Sequence, residues 1–168
     1  DTIGALSYSD ADAFTVAGID AGANAVTLRS ESGTSTVDQT GGITADALTL
    51  NGAAGTIFDL ASTANAVTSL AADAEQLAAL TFGEADGFQV LGIDAIGTVQ
   101  LDVATGSVTQ TNAITAASLD LDGEAGFTLT DLGNDVATLD ASTDTIGGLS
   151  YADADAFTVV GIDAGSNA

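Results

Sequence analysis

The sequence contains no cysteine, histidine, lysine, proline, methionine or tryptophan, and Arg29 is its only basic residue. Without cysteine or histidine there are no thiol or imidazole nucleophiles and none of the usual zinc ligands. The lack of basic residues argues against nucleic acid and anionic membrane surfaces as partners. No run approaches the roughly 18 apolar residues of a spanning helix, so no membrane insertion is expected. No signal peptide is present, and we expect a mature or internal segment.

What the chain does contain is acid and small apolar residues. Its 168 residues include 24 Asp or Glu, which gives a net charge of −23, yet 46% of them are hydrophobic. Disorder requires low hydrophobicity as well as high charge, so we expect a folded chain. Most of the acid is Asp, which with abundant Gly favours turns over helices. Cations are the partners that this charge favours.

The two ends of the sequence are nearly the same. Residues 1–25 and 144–168 differ at only four of 25 positions, at an offset of 143. A shorter repeat lies inside this one, because residues 37–52 match 108–123 and residues 80–95 match 149–164, at offsets of 71 and 69. Such periods indicate a solenoid. We therefore predict one continuous β-solenoid over 1–168, with 1–25 ending one unit, 26–96 forming a first half-repeat and 97–168 a second.

Short apolar runs separated by turn formers predict strands about ten residues apart. The runs are Val26–Leu28, Ala47–Leu50, Thr56–Phe58, Ala66–Val67, Leu80–Phe82, Phe88–Val90 and Val99–Leu101. Strands this short must stack on copies of themselves, which favours a β-helix over a sandwich. The alternative is an amphipathic helix over Ser62 to Ala79, although its counterpart at 131–148 is rich in glycine.

Three stretches resemble the repeats of filamentous haemagglutinin-like bacterial exoproteins, which are passengers of two-partner secretion systems and giant surface adhesins. The stretches are Val108–Thr111 through Leu121, Asn134–Val136 through Leu139, and Phe157 through Gly165. The resemblance implies an all-β, right-handed parallel β-helix at an extracellular or cell-surface location, used in adhesion or aggregation. The sequence departs from that family in lacking its secretion-recognition region and in its exact 143-residue period, which favours a uniform fibre.

The dimensions of a β-helix set the expected charge density. With roughly 20 residues per coil and coils about 4.8 Å apart, the chain would form about eight coils and a rod near 40 Å long. The rod would carry about one charge per 1.7 Å, comparable to duplex DNA. We expect divalent cations to bridge such rods, and self-association both end to end and laterally. Recurrent asparagines are expected to form turn ladders or to adopt left-handed backbone: Asn24, Asn51, Asn65, Asn112 and Asn134.

Pairs of aspartates are the candidate metal ligands. Alternate residues of an extended segment point the same way, and Ca²⁺ takes six to eight oxygen ligands. The candidates are Asp10, Asp12, Asp20, Asp120, Asp122, Asp153, Asp155 and Asp163. The simpler interpretation is that these carboxylates are solvated turn residues, since no known calcium-binding repeat is present. Each pair recurs with the repeat and marks no cleft, so we predict no catalytic residue, no glycosidase activity and no cofactor beyond Ca²⁺.

Two functions remain after these exclusions. One is a structural fibre or biofilm-matrix filament, which should be nearly identical from unit to unit. The other is an adhesin stalk, which needs a non-repeating insertion or an exposed aromatic patch. An ice-binding solenoid is a third and weaker alternative. Its aligned Thr-x-Thr arrays are not expected here, because the threonine-rich spots at 34–36, 109–111 and 128–130 do not recur at the coil spacing.

Overall fold

The computed structural model describes residues 3–165, which form strands and turns with no α-helix. No helix in this range is therefore long and apolar enough to cross a membrane. The strands are β1 Leu6–Asp10, β2 Phe14–Val16, β3 Ile19–Asp20, β4 Ala25–Ser30, β5 Thr36–Gln39, β6 Ile43–Gly52, β7 Ile57–Leu60, β8 Ala66–Leu77, β9 Ala79–Glu84, β10 Gln89–Ala95, β11 Thr98–Val103, β12 Ser107–Gln110, β13 Ile114–Gly123, β14 Gly126–Leu129, β15 Asp135–Ala141, β16 Gly148–Tyr151 and β17 Thr158–Ile162.

Among residues 3–165, all strand pairings are parallel and join each strand to one a coil further along, so this part of the chain is a parallel β-solenoid. Two stacks of eight strands dominate it. Stack A contains β1, β4, β6, β8, β10, β12, β14 and β16. Stack B contains β2, β5, β7, β9, β11, β13, β15 and β17. Eight strands per stack correspond to seven coil-to-coil steps.

The 143-residue repeat spans seven whole coils. Its two copies of one sequence place Leu6 in β1 and Leu149 in β16, the first and the eighth strands of stack A. Seven steps from Leu6 to Leu149 give about 20 residues per coil, as predicted from the sequence. A residue and its copy in the next unit therefore lie on the same side of the solenoid.

The half-repeat, in contrast, spans three and a half coils. Leu80 is the half-repeat counterpart of both Leu6 and Leu149, but it lies in stack B, opposite Phe58 and Val99. A strand of one half-repeat that lies in stack A therefore has its counterpart in stack B. The two half-repeats are related by half a turn around the axis. The solenoid consequently presents similar features on its two broad sides, displaced along the axis by half a unit.

The core is the interior enclosed by the two stacks and by the short ladders that join β3 to β6 and β10 to β13. Buried and exposed side chains alternate along each strand, as in β11, where Val99, Leu101 and Val103 are buried. Four phenylalanine rings, Phe58, Phe82, Phe88 and Phe127, are the largest side chains in this core, and aliphatic residues fill most of the rest. The alternation follows from the two-residue period of a strand. The prediction of an all-β solenoid is confirmed.

The observed strands and backbone angles can be compared with the predicted local structure. Each predicted apolar run coincides with or overlaps a strand, whereas the helical alternative over Ser62 to Ala79 is wrong, because β8 occupies Ala66–Leu77. Pairing with β6 and β10 on either side gives β8 a full ladder, which outweighs the helix propensity of its alanines. The left-handed backbone considered for asparagines is also wrong, since within residues 3–165 only glycines have positive φ.

Candidate functional site: acidic corners and columns

The predicted ligands Asp10, Asp12, Asp153 and Asp155 belong to two copies of one turn. Asp10 Oδ1 accepts the backbone N–H of Asp12 at 3.0 Å, and Asp153 Oδ1 accepts that of Asp155 at the same distance. These are Asx turns, in which an aspartate side chain replaces a backbone acceptor. The first aspartate of each pair therefore closes the turn.

Asp20 and Asp163 close a second kind of turn. Each accepts the backbone N–H of a glycine two residues on, Gly22 at 3.2 Å and Gly165 at 3.0 Å. Both glycines have positive φ, at 54° and 58°, a backbone region that favours glycine. Both aspartates are exposed and cap their turns in the same way.

Asp120 and Asp122 lie on the same side of β13, as predicted. Asp120 accepts the hydroxyl of Ser118 at 2.7 Å, and the buried Asp122 accepts the amide of Gln100 from the neighbouring coil at 2.6 Å. Across residues 3–165, no group of three or more acidic residues is close enough to share a metal ion. Calcium binding by the eight aspartates therefore remains a prediction.

In both of the turns at 10–12 and 153–155, a tyrosine two residues earlier in the sequence binds the first aspartate. Tyr8 donates its hydroxyl to Asp10 at 2.7 Å, and Tyr151 donates to Asp153 at 2.6 Å. The bond raises the pKa of Tyr8 and, with the turn N–H groups, lowers the pKa of Asp10. Burial, followed by the bond to Asp153, raises the pKa of Tyr151. Each tyrosine ring also packs edge-on against the phenylalanine six residues later, at centroid distances of 5.0 and 5.1 Å.

The half-repeat counterpart of these turns, at 82–86, has different side chains. Phe82 replaces the tyrosine, and Glu84 replaces the aspartate and is fully buried. Its carboxyl oxygens lie 3.2 and 3.3 Å from the backbone N of Val67, and one lies 3.2 Å from that of Ala85. Burial raises the pKa of Glu84 to about 7, and these N–H groups only partly oppose the shift. Glu84 is thus a neutral or charged cap, depending on pH near neutrality.

A buried amide clamp holds the coil beside Glu84. Asn65 is fully buried, and its Nδ2 donates to the carbonyls of Leu60 and Gly83 at 3.2 and 2.9 Å. Its Oδ1 accepts the N–H of Ile43 at 2.8 Å, and its Nδ2 also contacts the side-chain oxygen of Gln39 at 3.2 Å. One side chain therefore ties together backbone from three coils.

The second half-repeat contains the same clamp. Asn134 Nδ2 donates to the carbonyls of Leu129 and Ala152 at 3.3 and 2.9 Å, and Oδ1 accepts the N–H of Ile114 at 2.8 Å. Gln110 pairs with Asn134 as Gln39 does with Asn65. No hydrogen bond joins two asparagines among residues 3–165, so the predicted asparagine ladder is not seen; Asn65 and Asn134 bond instead to glutamine and to backbone.

A mixed column of charges runs along the first half-repeat. Arg29 in β4 lies opposite Asn51 in β6. The guanidinium reaches past it to Glu75, with Nη2 3.5 Å from the carboxylate, and Nε lies 3.3 Å from Glu31. The side-chain oxygen of Asn51 is buried without a hydrogen-bond partner. The only basic residue of the sequence is thus paired with two carboxylates from different coils.

The equivalent column of the second half-repeat holds only acids. By the repeat, Asp102, Asp122 and Asp144 correspond to Arg29, Asn51 and Glu75. Asp102 lies opposite Asp122, and Asp144 accepts the N–H of Gly123 at 3.4 Å. Burial, with the charges of Asp122 and Asp144, raises the pKa of Asp102. The structure therefore places a guanidinium in one half-repeat where the other has a third carboxylate.

One expectation about threonines is wrong. Thr109 lies opposite Thr128, which in turn lies opposite Ser150, so hydroxyl residues do recur at the coil spacing. Residues 109 and 128 are one coil apart, and their separation of 19 residues is close to the predicted coil of roughly 20. The third threonine-rich spot breaks the pattern, because Thr36 lies opposite Ile57.

The features that sequence reasoning missed are Glu84, the two amide clamps and the unequal columns. A signal for the first was present, since the motif at 82–84 replaces Tyr-x-Asp by Phe-Gly-Glu and so removes the hydroxyl partner. Gly83 also permits close approach, because a Cβ there would lie 2.6 Å from the carbonyl oxygen of Ala61. Comparison with family models, curated proteins and solved structures finds no match to this chain.

Proposed function

We propose that the chain is a repeat segment of an extracellular structural fibre, a cell-surface or matrix filament without a catalytic role. One observation carries the proposal: the repeat unit makes seven whole coils, so a copy of the unit returns to the same angular position. An array of such units continues one ladder of strands without a break in phase. Units joined in this way form a rod whose length grows with their number.

The rod also has a high linear density of negative charge. Eight coils about 4.8 Å apart span roughly 40 Å, and the net charge of −23 then amounts to about one charge per 1.7 Å. Rods of this density repel one another at low salt, and divalent cations screen or bridge them. The column of Asp102, Asp122 and Asp144 is where such bridging is most favourable, because its carboxylates have no cationic partner like Arg29.

The adhesin alternative has less support from the surface. An adhesin needs a non-repeating insertion or an exposed aromatic patch, and both tyrosines already have intramolecular partners. Tyr8 and Tyr151 are bonded to Asp10 and Asp153 and pack against phenylalanine rings. The outward positions of the strands carry Ser, Thr, Asp and Gln, as in β11 and β13. A repeated polar surface of this kind suits a filament better than a specific receptor.

Negative-stain imaging of the native material, with and without a chelator, tests the proposal. We expect unbranched filaments, bundled in the presence of divalent cations and separated after chelation. Isolated compact particles under both conditions would rule out the fibre. Filaments whose bundling does not respond to the chelator would remove cation bridging and leave the fibre itself in place.

A further inference from the structure

The two ends of the described solenoid expose apolar side chains that their own copies bury. Val159 is 48% exposed, whereas Val16, the same residue of the repeat, is 6% exposed. Ile3 is 43% exposed, whereas its copy Ile146 is 1% exposed. The sequences around each pair are nearly identical, so the difference comes from the neighbouring coil and not from the residue.

The coil that buries Val16 is known from the structure. Strands β5 and β6 cover β2 and β3, with Phe14 opposite Val37 and Ile19 opposite Ile43. The N–H of Thr40 donates to the carbonyl of Val16 at 2.8 Å. In the other copy of this coil, at 146–165, the equivalent face carries Val159 and Ile162, which are 48% and 49% exposed. We call this surface the upper face.

The coil that buries Ile146 lies on the opposite side. The N–H of Gly147 donates to the carbonyl of Ala125 at 2.9 Å, and β14 pairs with β16 in register. Coil 3–22 has nearly the same sequence as coil 146–165 but exposes Ile3 and Tyr8 at the corresponding place. We call this surface the lower face. Each face therefore has a known complement within the chain.

We propose that both faces are docking surfaces for another copy of the 143-residue unit, in the register that the chain already uses internally. Residues 26–47 of the following copy cover the upper face, with its Val26 opposite Leu149, its Val37 opposite Phe157 and its Ile43 opposite Ile162. The proposal rests on the proposed fibre and adds the partner and the register of the joint.

Residues 26–47 of another copy fit the upper face better than an unrelated strand edge would. The side chains of the two coils match because they are copies of a pair already packed within the chain. The backbone matches too, since the carbonyls of Asp153 and Val159 correspond to acceptors used by Glu31 and Thr40 at 2.9 and 2.8 Å. A shift by one residue would turn the apolar residues of the joint outward.

Hydrogen exchange on a tandem protein tests the joint. In the tandem, a second copy of residues 26–168 follows Ala168, which places the two units in phase. We expect the segment 149–162 of the first unit to exchange about a hundredfold more slowly than in the 168-residue chain, because an end strand becomes an internal one. The control tandem lacks residues 26–35 of the second copy, about half a coil, and should show no such protection.

Two substitutions sharpen the test. Val159→Asp in the in-phase tandem should abolish the added protection, whereas Val160→Asp should retain it, because the copy of Val160 at position 17 stays exposed within the chain. Equal exchange in the in-phase and half-coil tandems would overturn the proposed register, even if native filaments exist. Protection that appears in the 168-residue chain as its concentration rises would show that the cover comes from separate molecules.

If native material proves not to be fibrous while the in-phase tandem is protected, the fibre fails and the register stands. The two proposals are therefore tested separately.

Discussion

At the scale of single residues, the most consequential group is a carboxyl buried without a cation. Glu84 is fully buried, and its pKa rises from 4.5 to about 7 because burial penalises the charged form. The unfolded chain loses this proton near pH 4.5, whereas the folded chain keeps it until about pH 7. The folded state therefore binds the extra proton between these values, and stability falls as pH rises through them.

The corresponding prediction concerns Glu84→Gln. Wild-type protein should lose up to about 3 kcal/mol of unfolding free energy between pH 4.5 and 7 through this group. The variant should lack that component, so its stability should fall less over the same range. Denaturant unfolding at several pH values measures the difference, and Glu124→Gln, at an exposed carboxylate, controls for the change in net charge. A variant with the wild-type slope would contradict the role assigned to Glu84.

The amide clamps lead to a second prediction. Removing the side chain of Asn65 leaves the N–H of Ile43 and the carbonyls of Leu60 and Gly83 without their partner. We expect Asn65→Ala, and separately Asn134→Ala, to cost about 2–4 kcal/mol, the usual penalty for several buried unsatisfied groups. Asn112→Ala is the control, because this exposed residue makes one hydrogen bond, to Leu91. Similar losses at Asn65 and Asn112 would refute the clamp.

Sequence alone anticipates these residues only partly. The recurrence of Gln39 and Asn65 at Gln110 and Asn134 was visible, but their pairing was not, because each amide bonds across a coil whose register the sequence does not show. The acidic motif at 84–86 looked like the turns at 10–12 and 153–155. The burial of Glu84 depends on neighbouring coils, whose register the local sequence does not show.

At the scale of strands, the two half-repeats share a fold but not a charge pattern. Arg29, Asn51 and Glu75 form a neutralised column, and their counterparts Asp102, Asp122 and Asp144 form a repulsive one. The halves lie half a turn apart, so one broad side of the solenoid carries the cation and the other carries the unpaired acids. Lateral contacts through cations are therefore expected on the side of each 143-residue unit that carries Asp102, Asp122 and Asp144.

An exchange of charge between the columns tests this difference. Asp102→Arg should stabilise the protein by about 1 kcal/mol at low salt, because it gives Asp122 and Asp144 the cation that Glu75 already has. Added salt should reduce the gain, since screening weakens exposed pairs. The reverse change, Arg29→Asp, should destabilise the protein by a similar amount. Chemical denaturation of both variants at two salt concentrations measures the effects, and a destabilised Asp102→Arg variant would contradict the account.

Strand positions were predictable because alternation of apolar residues is a local property. The helix considered over Ser62 to Ala79 was wrong for a non-local reason, since its alanines are held extended by the ladders to β6 and β10. The stacked hydroxyls of Thr109 and Thr128 were missed although their separation is close to one coil, because spacing alone does not give the exact register when coils differ in length. The step from Phe14 to its partner Val37, for example, is longer than the step from Thr109 to Thr128. Equal spacing in sequence therefore does not mark equal positions in space.

At the scale of the whole molecule, the repeat period and the coil period agree. The 143-residue unit occupies seven coils and its halves occupy three and a half each, which the sequence periods of 143 and about 70 could not show without the register. The resemblance to haemagglutinin-like repeats remains a prediction, as does calcium binding. The parallel solenoid is confirmed, and the proposed fibre depends on this agreement of periods.

Fibre diffraction from oriented native filaments tests that agreement most directly. A fibre of seven-coil units should give a strong meridional reflection near 4.8 Å and an axial repeat of seven coils, about 34 Å. Because the half-units are related by half a turn, the second order of this axial repeat should be stronger than the first. Filaments whose axial repeat is not a whole number of coil-to-coil steps would contradict the seven-coil unit and the fibre built from it.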